Sequence, residues 1–169
     1  MEKEKRVSKE EYYLSIAKEV AARSTCLRRR FGAVIVRNDA IVSTGYNGPG
    51  RGLPNCNEYG CLKDKYKAEE GKDYEKCRAG PLHAEVNSIL NAARHGNSVL
   101  NATMYIAGFR VKSREITEAK PCKGCQKEII NAGLERVIIK TREGFKESRI
   151  EDWVREAFET EDKDIKGFY

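Results

Sequence analysis

No apolar run in this chain approaches the length of a membrane span: stretches such as Ala33 to Val36 and Val137 to Ile139 fall far short of the ~18 residues required. Nothing apolar follows the charged opening from Met1 to Arg6, which argues against a secretory leader and makes a cytoplasmic protein the expectation. Internal repeats, low-complexity tracts and linkers are missing too. The 169 residues therefore read as one domain, with loose tails at 1–7 and 160–169. Concentrated charge of one sign is scarce: 32 Lys and Arg against 26 Asp and Glu leave a formal +6, yet Arg28, Arg29 and Arg30 form the only tight cluster. Such a run is usually a solvated face, so the charge permits an anionic substrate or nucleic acid without demanding either. What is present is a globular balance, 40% apolar and 34% charged, long enough to bury a core without staples.

Ser8 and Glu11 have the spacing of a capping box, and Tyr13, Ile16, Ala17, Val20 and Ala21 follow at helical intervals. Gly32 to Arg37 and Ala40 to Gly45 flank Asn38-Asp39, the pattern of a two-residue β-hairpin. Residues 47–81 then become rich in Gly, Pro, Asn and charge, with three cysteines and little periodicity; so long a segment needs something to organise it. A helix is expected after Pro81, with Val86, Ile89, Leu90 and Ala93 on one face. A strand at Thr103 to Ala107, a polar connection from Gly108 to Lys120, a helix at Cys122 to Asn131 stopped by Gly133, and a strand at Arg136 to Lys140 follow. Ser148 and Glu151 suggest a second capping box opening a helix whose Ile150, Trp153, Val154, Ala157 and Phe158 pack on the sheet. No fifth strand is evident after residue 140, unless a short one lies in 165–169. The order α-β-β-α-β-α-β-α implies an α/β fold, a sheet with helices on both faces.

Six cysteines would suggest three disulfides in a secreted chain, and metal or catalysis in a reducing cytosol. Taken alone, His83-Ala84-Glu85 is weak, and Pro121 with Cys122 and Cys125 fits half a zinc finger or a redox pair equally. Together they are specific. Cys122 and Cys125, three apart on a first helical turn, place their sulfurs on one face, and Pro121 suits the first helical position. His83 opens another helix, so two positive helix ends converge on one ion. Three protein ligands leave a fourth position open, which separates a catalytic zinc from a structural one. Glu85, two residues past His83, reaches that position without ligating.

A His-x-Glu followed by Pro-Cys-x-x-Cys is the signature of zinc deaminases. Phe31 to Val36, Thr44 to Gly48, His83 to Asn87 and Cys122 to Gly133 extend the match in order and spacing. From about residue 9 to 140 the chain resembles the deoxycytidylate deaminases of the cytidine deaminase superfamily, a group that includes competence-operon deaminase-like proteins. The resemblance implies a three-layer α/β/α fold with a mixed sheet of four to five strands. It implies Zn2+ on His83, Cys122 and Cys125, Glu85 as the proton carrier, Asn47 against the substrate sugar and Ala84 in the substrate site. The implied reaction is hydrolysis at C4 of a cytosine nucleotide, dCMP first and CMP second. A homo-oligomer is implied as well.

In some relatives, residues matching Cys26 and Cys56 belong to a second zinc site. Here Cys26, Cys56, Cys61 and Cys77 offer a closed four-thiolate set that would pin the 47–81 segment; the bland alternatives are free thiols or a pair of disulfides. For a 5′-phosphate the candidate cations are Arg51, Arg110 and the Arg28–Arg30 run. Residues 108–120 exceed the few that relatives often have there, as a lid, a nucleotide contact or a subunit contact would require. Two rivals stand: a deaminase of RNA or tRNA adenosine, which the basic charge suits, and a non-catalytic zinc module of the competence type. The Asn47 turn and the cysteine-rich segment favour the free nucleotide over nucleic acid, and Glu85 has no use in a purely structural site.

Overall fold

The computed structural model describes residues 5–69, 74–80 and 82–165, with side chains to residue 160. Helix α1 (Lys9–Ala22) starts where Ser8 Oγ accepts from the Glu11 amide at 3.2 Å. Strands β1 (Arg29–Arg37) and β2 (Ala40–Tyr46) are joined by Asn38 and Asp39, both at positive φ, the backbone a two-residue hairpin turn needs. Short helices α2 (Cys56–Tyr59) and α3 (Leu62–Lys65) and a 3-10 turn at Tyr74–Lys76 interrupt the excursion that follows. Then come α4 (Ala84–Arg94), β3 (Thr103–Arg110), α5 (Lys123–Asn131), β4 (Arg136–Lys140), β5 (Phe145–Arg149) and α6 (Ile150–Ile165). The sheet order is β2-β1-β3-β4-β5, with β3 and β4 parallel and the other pairs antiparallel. This is the mixed five-stranded sheet of the three-layer α/β/α deaminase fold.

Alternation along the strands divides the core in two. Val34, Val36, Tyr105, Ala107 and Ile138 face α1, where Tyr13, Leu14 and Ala17 cover them. Ala33, Ile35, Met104, Ile106, Val137 and Ile139 face the other layer, covered by Ala84 and Ala92 of α4, Ile129 of α5, and Ile150 and Trp153 of α6. Close approach on both faces depends on glycine. A Cβ on Gly32 would stand 2.2 Å from the Ala17 carbonyl oxygen of α1, and one on Gly45 would stand 2.2 Å from the Ser88 amide of α4.

Four expectations change. A fifth strand lies at Phe145–Arg149, where none was expected, and Ser148 pairs with Val137 in the sheet instead of capping a helix. Its five residues are mostly polar and exposed because it is an edge strand, so it carries no apolar alternation. α4 buries Ala84, Glu85, Ser88 and Ala92, whereas Leu90 is 51% exposed: tight packing on Gly45 selects small side chains for the inner face. The α6 stripe packs only at its start, Phe158 being 68% exposed, and the helix continues beyond residue 160 to Ile165. β3 runs on to Arg110, and the chain doubles back, Arg110 N donating to Glu115 O at 2.9 Å and Thr117 N to Gly108 O at 3.0 Å. The connection after β3 is thus a short β-arm. Residues 1–4, 70–73, 81 and 166–169 lie outside the described part, and with them the alternative strand end and Pro81. Among the described residues no helix is long and apolar enough to cross a membrane.

Candidate metal centre and active site

His83 and Cys122 are the N-caps of α4 and α5, both with extended backbone and neither using its side chain to cap its helix. Pro121 therefore precedes the cap rather than opening the helix, and Cys125 sits on the first turn of α5. The two helix starts face each other. His83 Nδ1 lies 3.3 Å from Cys125 Sγ and 3.6 Å from Cys122 Sγ, and the three donor atoms fall within 4.8 Å of one another. Around a tetrahedral zinc bonded at ~2.0–2.1 Å by nitrogen and ~2.3 Å by sulfur, such donors stand about 3.6 Å apart. The residues fit the ion.

The electrostatics fit it as well. Burial, helped by the Lys63 ammonium, lowers the His83 pKa and leaves the imidazole neutral with a lone pair to give. Burial, then the Glu85 carboxylate and the Cys122 thiol, raise the Cys125 thiol far above its ordinary range, so its ionisation calls for a cation at the same spot. Glu85, in the first turn of α4, is only 7% exposed and meets the Cys125 thiol; desolvation dominates and lifts its carboxyl to about 7. A carboxyl with that pKa accepts and returns a proton near neutral pH.

These groups open into a cavity of about 250 Å³. Phe31 and Ile106 give it apolar lining, and Asn47, Gly48, Ala79 and Gly80 line it as well. Asn47 is buried there, with its Oδ1 accepting from Phe31 N at 2.8 Å and its Nδ2 donating to Arg29 O at 3.1 Å. One amide proton and one lone pair stay available to a ligand hydroxyl. Ala84, wholly buried at the start of α4, sits between His83 and Glu85.

Cys26, Cys56, Cys61 and Cys77 all line this same cavity, and all are free thiols. Burial pushes the Cys56 thiol up to about 11, and the other three thiols push the same way, which marks them as its neighbours. Among the described residues only His83, Cys122 and Cys125 bring three donors within 4.8 Å, so the four thiols surround a wider space.

The expected phosphate cations separate. Arg28 and Arg29 line the cavity, whereas Arg30 turns away to the Cys26 and Ala22 carbonyls at 3.3 and 3.1 Å. Arg51 donates to Asn91 Oδ1 of α4 at 2.9 Å and does not line the cavity. Arg110 stands at the exposed end of β3, again outside it. Sequence reasoning missed Lys63, a buried lysine of α3 in the cavity wall, because the segment carrying it has no periodicity from which burial could be read. Lys120, at the return of the β-arm, lines the cavity too.

Comparison with known proteins agrees with this geometry. A family model for the cytidine and deoxycytidylate deaminase zinc-binding region matches residues 7–141. The deoxycytidylate deaminase of Schizosaccharomyces pombe is 36% identical over 138 residues, which are 80% of this chain but 38% of that protein. The chain thus spans well under half the length of that yeast relative. The deoxycytidylate deaminase of Mycobacterium phage D29 is 35% identical over 132 residues, 76% of this chain and 91% of the phage protein. Among solved structures, the apo dCMP deaminase of cyanophage S-TIM5 superposes with a TM-score of 0.54 at 25% identity, covering 76% of this chain and 79% of that one. With four-fifths of its length inside the family model and the motif residues gathered at one cavity, this chain belongs to the cytidine and deoxycytidylate deaminase family.

Proposed function

We propose that the chain catalyses zinc-dependent hydrolytic deamination of a cytosine nucleotide, dCMP to dUMP and ammonia. The observation that carries this is Glu85, a carboxyl buried against Cys125 beside the three-donor set, where a structural zinc site has no use for one. A zinc ion on His83, Cys122 and Cys125 supplies the Lewis acidity that makes water a nucleophile at neutral pH. Glu85 takes the proton of the attacking water and passes it to N3 as the oxygen adds at C4. It then takes the remaining proton from that oxygen and delivers it to the exocyclic amino group, so that C4=O forms, the C4–N bond breaks, ammonia leaves and Glu85 is ionised again. Phe31 and Ile106 offer apolar surface to the ring, and the remaining donor and acceptor of Asn47 suit a sugar hydroxyl.

The reading extends to three further points. Cys26, Cys56, Cys61 and Cys77 hold a second, structural zinc; their common place around one cavity supports it. The phosphate lies toward the basic wall of the cavity, Arg28 and Arg29 being the members of the arginine cluster that reach it. The chain assembles as a homo-oligomer, for which the outward Leu90 of α4 and Tyr46 of edge strand β2 leave apolar surface.

A deamination panel of dCMP, CMP, dCTP, deoxycytidine and tRNA, read by ammonia release, tests the proposal. Turnover of dCMP with kcat/KM at least ~10-fold above deoxycytidine is expected. Equal rates on both overturn the nucleotide reading, and activity on tRNA alone moves the chain to adenosine deamination.

A further inference from the structure

We propose that Asn87 is the positioning residue that fixes Asn47, and with it the sugar end of the substrate, relative to His83 and Glu85. The inference rests on the cytosine-nucleotide reading of the site, in which Asn47 meets a sugar hydroxyl. Asn87 ends the run that His83 opens, yet it does not line the cavity and the reaction gives it no chemistry.

Its bonds show what it does. β2 is an edge strand, paired on one side only, with β1. Asn47 N donates to Phe31 O at 3.2 Å, so alternation along an antiparallel pair makes Gly45 the next residue bonded to β1. The Thr44 and Tyr46 carbonyls therefore face outward, where an open edge would recruit water or another chain. α4 takes both with asparagines one turn apart: Asn87 Nδ2 donates to Tyr46 O and Asn91 Nδ2 to Thr44 O, each at 2.7 Å. Asn87 reaches further. Its second amide proton goes to Leu82 O at 3.4 Å, a carbonyl that also accepts from Gly48 N at 3.4 Å. Tyr46 and Gly48 stand on either side of Asn47, and Leu82 stands immediately before His83. One carboxamide thus ties the turn that carries Asn47 to the chain that enters the metal donor.

The other bonds of Asn47 run the opposite way. Ser24 Oγ donates to its carbonyl at 2.6 Å, and its side chain bonds to Phe31 N and Arg29 O of β1. None of these reaches α4. Without Asn87 a nucleotide is still anchored at Asn47, but its C4 is presented off line from the metal and Glu85. A displacement of about 1 Å can cost ~10²-fold in rate while binding persists.

The test compares zinc-loaded wild type, Asn87→Leu and Asn91→Leu on dCMP and on 2′,3′-dideoxy-CMP, which lacks the sugar hydroxyl offered to Asn47. Wild type should favour dCMP by ~10-fold or more in kcat/KM. Asn87→Leu keeps the size of the side chain but neither donor. It should remove most of that preference through kcat for dCMP, with dideoxy turnover and the calorimetric affinity for dUMP within ~3-fold of wild type. Asn91→Leu loses the same kind of bond one turn further along the helix, and should melt at lower temperature with the preference intact. An unchanged preference in Asn87→Leu, an equal fall on both substrates, or the same loss in Asn91→Leu overturns the role of Asn87. Should Asn87→Leu fail to fold, Asn87→Asp, of the same shape and without amide protons, is read by the same outcomes. A wild type that turns over both substrates equally overturns the Asn47 contact, and one that turns over neither overturns the cytosine-nucleotide reading; the role of Asn87 falls with either.

Discussion

Cys125 Sγ lies 3.3 Å from His83 Nδ1, although the two residues are 42 positions apart and belong to different helices. Both helices pack on the same face of the sheet, so the contact is a product of the fold rather than of local sequence. His83 ends up neutral and Cys125 ends up hard to ionise, each mainly because it is buried. Such a pair is poorly matched without a cation and well matched around one.

Metal content follows from this. Two ligand sets should give two zinc ions per chain by elemental analysis of folded protein. His83→Ala should lose the catalytic ion, whereas Cys77→Ser should keep it, lose the second and melt at lower temperature. One ion in wild type would remove the second site from the scheme.

Glu85→Gln separates binding from proton transfer. The amide keeps the size of the side chain but cannot shuttle a proton, so zinc content and melting temperature should hold while kcat falls by ~10² or more. Near-normal turnover in this variant would show that another group moves the proton.

Asp39 links the hairpin turn to α1, accepting from Tyr13 Oη at 3.0 Å and pairing with Lys9 Nζ at 2.8 Å. Hydrogen bonds from Lys9 and then Tyr13 hold its carboxyl below the usual carboxylate range. A depressed folded pKa contributes stability above the unfolded pKa and loses it as pH falls through the folded one. Melting temperature in wild type should therefore drop across the acid range below about pH 4. Asp39→Asn should flatten that part of the profile, and identical acid limbs in the two proteins would contradict the linkage.

Much of the site was legible in the sequence because its chemistry is local. Cys122 and Cys125 had to share a helix start, His83 and Glu85 another, and the Asn38-Asp39 turn set β1 against β2. The failures have physical causes. β5 shows only exposed polar side chains, and the Gly144 turn before it, at φ 149°, was its sole signal. Leu90 was placed inside by periodicity, but α4 lies too close to β2 for a leucine there. Arg51 looked near the site in sequence, yet its guanidinium is drawn to Asn91 on α4. Burial of Lys63 depends on how an aperiodic excursion folds back, which no pattern encodes.

Gly32 and Gly45 offer a paired test of how the sheet positions the metal donors. An added methyl at either would collide with helix backbone at 2.2 Å, a contact that a flexible side chain cannot relieve. Alanine at either position should therefore destabilise by about 1–3 kcal/mol, the usual cost of overpacking, read from denaturant midpoints. The two should differ in activity. Gly32→Ala pushes on α1, which covers the face opposite the cavity, so the folded protein should keep its zinc and most of its kcat. Gly45→Ala pushes on Ser88 and Ala84 of α4, the helix that carries His83 as its cap and Glu85 in its first turn. Donors held within 4.8 Å tolerate little movement, so zinc affinity and kcat should fall together there by ~10-fold or more. Equal loss of activity in both variants would mean that α4 is not the element through which the sheet sets the site.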